Sequence, residues 1–175
     1  MNKETNSSPY KITGDGNLSG AITASVATMG ITVKIVNKSN NNTPYYQHPN
    51  DAGMDLCAYL THGNVTIPPF QRVLIPTGVY LGIPNGFELQ VRSRSGLALK
   101  KGSIVLNAPG TVDSGYIGEV GVILANISNE SYVVENGDRI AQMVFSQYTK
   151  ANLERVETLE ETDRGAGGFG STGVK

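Results

Sequence analysis

Residues 68–91 read PPFQRVLIPTGVYLGIPNGFELQV. Two short runs of β-branched and apolar side chains, Arg72–Ile75 and Phe87–Val91, stand in this stretch behind a Pro68-Pro69 pair and the turn sequence Pro84-Asn85-Gly86. Proline removes a ladder donor and Asn-Gly admits a tight turn, so each run reads as a strand that its punctuation stops after a few residues. The pattern continues outward. Ile31–Val36 precedes it and Glu119–Leu124 and Ile140–Phe145 follow, with Asn107-Ala108-Pro109-Gly110 and Asn136-Gly137-Asp138 as further breaks. Many short strands separated by turns predict an all-β sandwich or barrel. One helix of about two turns is expected near Ser95–Lys101, too short to stand without packing around it.

The 175 residues suffice for one hydrophobic core. Fourteen Lys and Arg against fifteen Asp and Glu give a net charge of −1, so neither nucleic acid nor an acidic membrane is an expected partner and any anion site must be local. No apolar stretch approaches the ~20 residues that span a bilayer, and no basic segment sits directly before an apolar one as in an export signal. A cytoplasmic setting is the default expectation. Cys57 alone cannot form an intrachain disulfide, and His48 and His62 offer no zinc-binding spacing. Residues 1–30, small and polar with Tyr10 as their one aromatic, are expected to form a disordered leader dispensable for chemistry. Residues 31–159 carry the β domain. Residues 160–175 are a Gly-rich tail that can add little to a core and needs another reason to exist.

Three Gly-flanked segments combine a permissive backbone with phosphate-compatible side chains. Arg92-Ser93-Arg94-Ser95-Gly96 places two guanidinium groups and two hydroxyls ahead of the short helix, as a phosphate grip or as a solvated basic turn. In Gly110-Thr111-Val112-Asp113-Ser114-Gly115-Tyr116 the glycines permit a hairpin, with Asp113 and Tyr116 either serving a base and sugar or acting as ordinary turn and core residues. The tail segment Arg164-Gly165-Ala166-Gly167-Gly168-Phe169-Gly170-Ser171-Thr172-Gly173 can bring N–H groups up to phosphate oxygens, with Arg164 for charge and Phe169 as a stacking face. It is not a Walker motif, because no Gly-Lys-Ser/Thr closes it and no helix follows. Asp55 interrupts an apolar run and, if buried, needs an arginine or a hydrated metal as partner. Cys57 reads as a small core residue. Gln142 is a polar residue in an apolar strand, which an outward-facing position would explain.

In this order the segments resemble the five motifs of the homotrimeric dUTP diphosphatase family, over about residues 31 to 173. The motifs are Ala52-Gly53-Met54-Asp55-Leu56, Arg94-Ser95-Gly96-Leu97-Ala98, the stretch from Asn107 to Gly118, Gly137-Asp138-Arg139-Ile140-Ala141-Gln142, and Arg164 to Ser171. The resemblance implies a jelly-roll-like distorted β-barrel with one short helix and a flexible Gly-rich C-terminal arm, assembled as a homotrimer with sites between subunits. Each arm, residues 160–175, would close over a neighbouring site. The implied reaction is magnesium-dependent hydrolysis of dUTP to dUMP and pyrophosphate, which limits uracil incorporation into DNA and supplies dUMP for thymidylate synthesis. It further implies that Asp113 activates a water for in-line attack on the α-phosphorus and that Gln142 helps to place that water. Arg94, Ser95 and Gly96 would hold the phosphate chain, with Mg2+ meeting the protein through water near Asp55. Asn107 and the backbone of Gly110, Thr111 and Val112 would match the uracil edge, while Tyr116 packs under the deoxyribose and leaves no room for a 2′-hydroxyl. Arg164 would contact the γ-phosphate, with Phe169 covering the uracil and Gly168, Gly170 and Ser171 completing the wrapping loop.

Two other readings use the same residues. dCTP deaminases resemble this fold but carry a catalytic Glu in the strand after the hairpin, where this chain has Ile123 in Val122-Ile123-Leu124-Ala125-Asn126. A non-catalytic β-barrel that binds nucleotide or another protein would have no need of a water-activating carboxylate together with Gln142, Arg164 and Phe169.

Overall fold

The computed structural model describes residues 30–168, 170 and 171; the leader expected over residues 1–30 therefore lies, but for Gly30, outside the described residues, as does Phe169. Eleven strands and one helix follow in the order β1 Lys34–Asn37, β2 Met54–Cys57, β3 Val65–Ile67, β4 Arg72–Ile75, β5 Val79–Gly82, β6 Phe87–Arg92, α1 Ser95–Lys101, β7 Ser103–Val105, β8 Gly110–Val112, β9 Val122–Asn126, β10 Tyr132–Val134 and β11 Arg139–Gln147. All named pairings are antiparallel. They form four small sheets, β1-β5, β10-β3, β2-β11-β6-β8 and β4-β9-β7, wrapped on one core without a continuous ladder that would close a barrel. This is a distorted jelly roll.

Alternation makes the core. Leu89 and Val91 on β6, Val122 and Leu124 on β9, and Leu56 on β2 are at most 4% exposed, while Gln90 and Arg92 between and beyond them point outward. Each fully covered Leu or Val of this set is worth about 1.5–3 kcal/mol. Asn126, wholly buried at the end of β9, is kept there by donating to the carbonyls of Ile67 and Glu130 at 3.0 and 2.6 Å and accepting from Ser128 N–H at 3.0 Å.

The expected strand at Ile31–Val36 forms later, at Lys34–Asn37, and that at Glu119–Leu124 forms at Val122–Asn126. The second shift has a clear cause: Glu119 bridges to Tyr80, and Val120 donates to the Val79 carbonyl at 2.8 Å, so this limb is held by β5 before β9 begins. Helix α1 occupies the expected Ser95–Lys101, closed by left-handed Gly102 with Lys100 and Lys101 in its last turn.

A turn with Gln71 N–H donating to Pro68 carbonyl at 3.1 Å puts Phe70 at its third position, with φ 59° and 67% exposure. Glycine and asparagine suit that position; phenylalanine is strained there. Phe70→Asn is expected to stabilise the fold by up to about 1 kcal/mol, raising Tm by about 2–4 °C. A thermal melt checks this, and a lower Tm would show that the ring has a packing role.

Candidate active site

Three strands bring polar side chains into one row on the outer face of the β2-β11-β6 sheet. Asp55 stands opposite Gln142, and Gln142 stands opposite Arg92, so all three project to the same side. The cause is a bulge in β11: Arg139 pairs with Cys57 and Ala141 with Leu56, leaving Ile140 as an extra residue. Ile140 and Ala141 are consecutive buried residues, at 1% and 0% exposure, and the bulge thereby turns both Arg139 and Gln142 outward.

The carboxylate of Asp55 is 11% exposed and has the arginine partners that its burial demands. Arg94 Nε lies 2.9 Å from Oδ1, and Arg139 Nη1 lies 3.2 Å from Oδ2. Arg94 Nη1 also donates to the Arg139 carbonyl at 2.9 Å, closing a small network. The Arg94 contact is an ion pair rather than an aligned hydrogen bond, so buried Oδ1 is left without a hydrogen-bond partner. Clefts of about 320 and 350 Å³ meet at Asp55; Gln47, Asp51, Arg92 and Gln142 line the first, and Tyr45, Cys57 and Gly137 line the second. Burial, with the Asp55 carboxylate adding to it, pushes the Cys57 thiol up from its ordinary value, so it stays protonated at neutral pH and is no nucleophile.

Of the two guanidinium groups and two hydroxyls expected ahead of α1, three have structural duties, Arg94 through its pairing with Asp55. Arg92 Nε donates to Gln90 Oε1 at 3.1 Å, and Ser93 Oγ accepts from Val105 N–H at 2.9 Å. Ser95 is exposed at the start of α1, and Gly96 is open, with no atom within 4 Å of an added Cβ. Gln142 is exposed on its strand, the outward position that its polarity suggested.

The third segment is organised differently from the expected hairpin. Gly110–Val112 pairs with β6, Tyr116 N–H donates to the Asp113 carbonyl at 3.0 Å to close a turn, and the returning limb joins β5 instead of pairing with β8. Gly110 lies close to Asn107, whose Nδ2 would be 3.0 Å from an added Cβ. Asp113 is exposed at the turn. Tyr116, 48% exposed, donates its hydroxyl to the Glu119 carbonyl at 2.9 Å.

Register separates the two halves of this set. Gln142 opposes Arg92 at one end of β6, whereas Asp113 follows Val112, the partner of Leu89 toward the other end. At ~3.3 Å per residue that interval is roughly 10 Å along the strand. Ser95 and Arg94 lie with Gln142; Asn107 to Val112 lead away from it to Asp113 and Tyr116. One chain therefore does not bring Asp113 up to Gln142.

Among the described residues the tail's hydrogen bonds stay within itself. Gly165 N–H donates to the Thr162 carbonyl at 2.8 Å, Arg164 Nε to the Gly167 carbonyl at 2.9 Å, and Ser171 N–H to the Gly168 carbonyl at 3.0 Å. Gly165 and Gly170 take φ of 49° and 86°, values that glycine alone adopts freely. No group of three or more His, Cys, Asp or Glu able to hold a metal occurs among the described residues, and none of the described helices is long and apolar enough to cross a membrane.

Arg139 was not singled out from the sequence as a site residue, although it sits two residues after Gly137 in a quoted motif. An arginine followed by two apolar residues and then Gln142 breaks strict alternation, and that break is the sequence signal of the bulge.

The family model described as dUTPase matches residues 39–173. A deoxyuridine 5′-triphosphate nucleotidohydrolase of Finegoldia magna is 50% identical over 141 residues, 81% of this chain and 98% of that protein. The like-named protein of Wolinella succinogenes is 55% identical over 130 residues, 74% and 85% of the two chains. Among solved structures, the dUTPase of Staphylococcus bacteriophage 80alpha with dUpNHpp superposes with a TM-score of 0.73 at 28% identity, covering 82% of this chain and 99% of that one.

Proposed function

The chain belongs to the dUTPase family, and from that premise we propose that it hydrolyses dUTP to dUMP and pyrophosphate at a site assembled from more than one copy of the chain. The observation that carries the composite site is the register of the β2-β11-β6-β8 sheet, which parts Asp113 from Gln142 within one subunit. A second copy supplying Asp113, Tyr116 and Asn107 beside the Arg94, Ser95 and Gln142 of the first restores the set. The surface fits this arrangement. Leu74 is opposite Ile123 on the outer face of β4-β9-β7 with Leu106 hydrogen-bonded to Ile123, and Leu74 and Leu106 are 64% and 49% exposed. An apolar sheet face of this kind is suited to burial between copies. We read the assembly as a homotrimer, about 56 kDa for three 18.6 kDa chains.

Within that site the Asp113 carboxylate takes a proton from water as the water oxygen bonds to the α-phosphorus and the bond from that phosphorus to the β-phosphate bridge breaks, releasing pyrophosphate. Alignment and charge stabilisation supply most of the rate in such a step. The Gln142 amide orients the water. Ser95 Oγ, Gly96 N–H and the remaining amino group of Arg94 hold the phosphate chain, and Arg164 of an arm neutralises the γ-phosphate, with Gly168, Gly170 and Ser171 offering N–H groups around it. Asn107 and the main chain of Gly110, Thr111 and Val112 read the uracil edge. Phe169 of the arm covers the base.

The donor set fits magnesium held through water. Asp55, already facing two arginines, has the orphaned buried atom Oδ1 to offer a metal-bound water, and no acidic cluster among the described residues would strip the ion of its shell. Bound magnesium supplies charge neutralisation on the triphosphate oxygens.

Release of pyrophosphate from dUTP is the test. Ammonia released from dCTP in its place would favour the deaminase reading, against which stands Ile123, an apolar residue packed opposite Leu74 where that chemistry needs a carboxylate. Tyr116→Ala is expected to raise kcat/KM for UTP relative to dUTP by about tenfold or more, since it removes the wall at C2′. An unchanged ratio would return Tyr116 to a structural role.

A further inference from the structure

Tyr116 is half-exposed, and an exposed ring serves as a steric wall only if something fixes it. Two features do so. The ring stands over Gly118, where an added Cβ would lie 2.4 Å from Oη and 2.5 Å from Cζ, and its hydroxyl donates to the Glu119 carbonyl at 2.9 Å. That carbonyl belongs to the peptide whose Val120 N–H donates to the Val79 carbonyl at 2.8 Å, and the Glu119 side chain adds a second tie to the same limb. Glu119 Oε1 accepts from Thr77 N–H at 3.0 Å and Gly78 N–H at 2.7 Å, two backbone donors in the turn between β4 and β5. Thr77, 1% exposed, donates its hydroxyl to the Val120 carbonyl at 2.6 Å, so the limb is also tied to the same turn just past Glu119. Gly78 has φ 70° and lies so close to Ser39 that a Cβ would come within 2.8 Å, which leaves the turn little freedom to follow if the carboxylate were lost.

We propose that Glu119 is a positioning residue for sugar discrimination: its carboxylate anchors the main chain that receives the Tyr116 hydroxyl, and so holds the ring where a 2′-hydroxyl would collide with it. The inference rests on the reading of Tyr116 as the wall at C2′. Nothing in it requires Glu119 to touch substrate. A conservative replacement that keeps an acceptor should therefore preserve it, which a charge-dependent role in catalysis would not.

The test measures kcat/KM for dUTP and UTP on full-length chains with magnesium present. Glu119→Ala is expected to lower the dUTP-to-UTP ratio roughly tenfold, the effect of losing one neutral hydrogen bond's worth of order. Glu119→Gln, whose Oε1 still accepts from both N–H groups, keeps the parent ratio. Tyr116→Phe lowers the ratio as well, and combining it with Glu119→Ala lowers it no further, because both changes cut the same link. A parental ratio in Glu119→Ala, when Tyr116→Ala has lost discrimination, overturns the proposal and leaves the wall intact. Tyr116→Ala with undiminished discrimination takes down the wall reading itself. Should Glu119→Ala fail to fold, Tyr116→Phe decides alone: an unchanged ratio overturns the link between hydroxyl and carbonyl.

Discussion

Asp113→Asn is expected to lower turnover of dUTP by about 10² to 10⁴ while the protein folds and binds dUTP as before. Asp113 is exposed in a turn whose closing bond, Tyr116 N–H to the Asp113 carbonyl, is made by main chain and does not depend on the side chain. No side-chain hydrogen bond of Asp113 occurs among those of the described residues, so the fold loses little by the exchange. The amide keeps size and hydrogen-bonding capacity but cannot accept the proton of the attacking water. A direct comparison is the steady-state rate of pyrophosphate release beside the Kd of a non-hydrolysable dUTP analogue. Turnover within about threefold of the parent would remove Asp113 from the chemistry, a change of well under the 10² expected of a lost general base.

Ending the chain after Thr162 is expected to abolish most activity with almost no change in Tm or assembly. The hydrogen bonds of Arg164, Gly165, Gly167, Gly168 and Ser171 among the described residues are internal to the tail, so their removal orphans no group of the β core. The activity loss follows from deleting Arg164 and the N–H groups assigned to the phosphates, together with a lid that keeps bulk water from the reacting centre. Mixing tail-less chains with Asp113→Asn chains separates arms that act on a neighbour from arms that act at home. If arm and carboxylate of one site come from different chains, some mixed assemblies contain a site with both intact, and activity returns. Mixed trimers confirmed by mass but inactive would place both on one chain.

The longer strands were legible because an apolar run such as Arg72–Ile75, or an alternating one such as Phe87–Arg92, is bounded by turn residues. Strands β3, β7, β8 and β10 have three residues each, too few to show a period; β7 and β8 form on the longer β9 and β6, while β3 and β10 pair with each other. For Asp55 the need for a counter-charge could be read from its place in an apolar run. Which arginines answer it could not, since that depends on how α1 follows β6 and on one bulge in β11. The residues of the site were named by motif resemblance. Their division into two groups at opposite ends of β6 is a property of strand register, which only the folded sheet displays.

The bulge at Ile140 gives β11 an uneven tolerance to hereditary change. Replacing Ile140 by another apolar residue edits one packing contact, and families of such edits are open to drift. Inserting a residue between Ala141 and Gln142, past the bulge, shifts the reading frame of the sheet without touching that of the gene. Every later residue then faces the side opposite its present one, sending Gln142 and Val144 toward the core and Met143 to solvent. Point substitutions should thus accumulate along this strand in related chains, whereas a one-residue insertion between Ala141 and Gln142 should be absent from any that retain the enzyme.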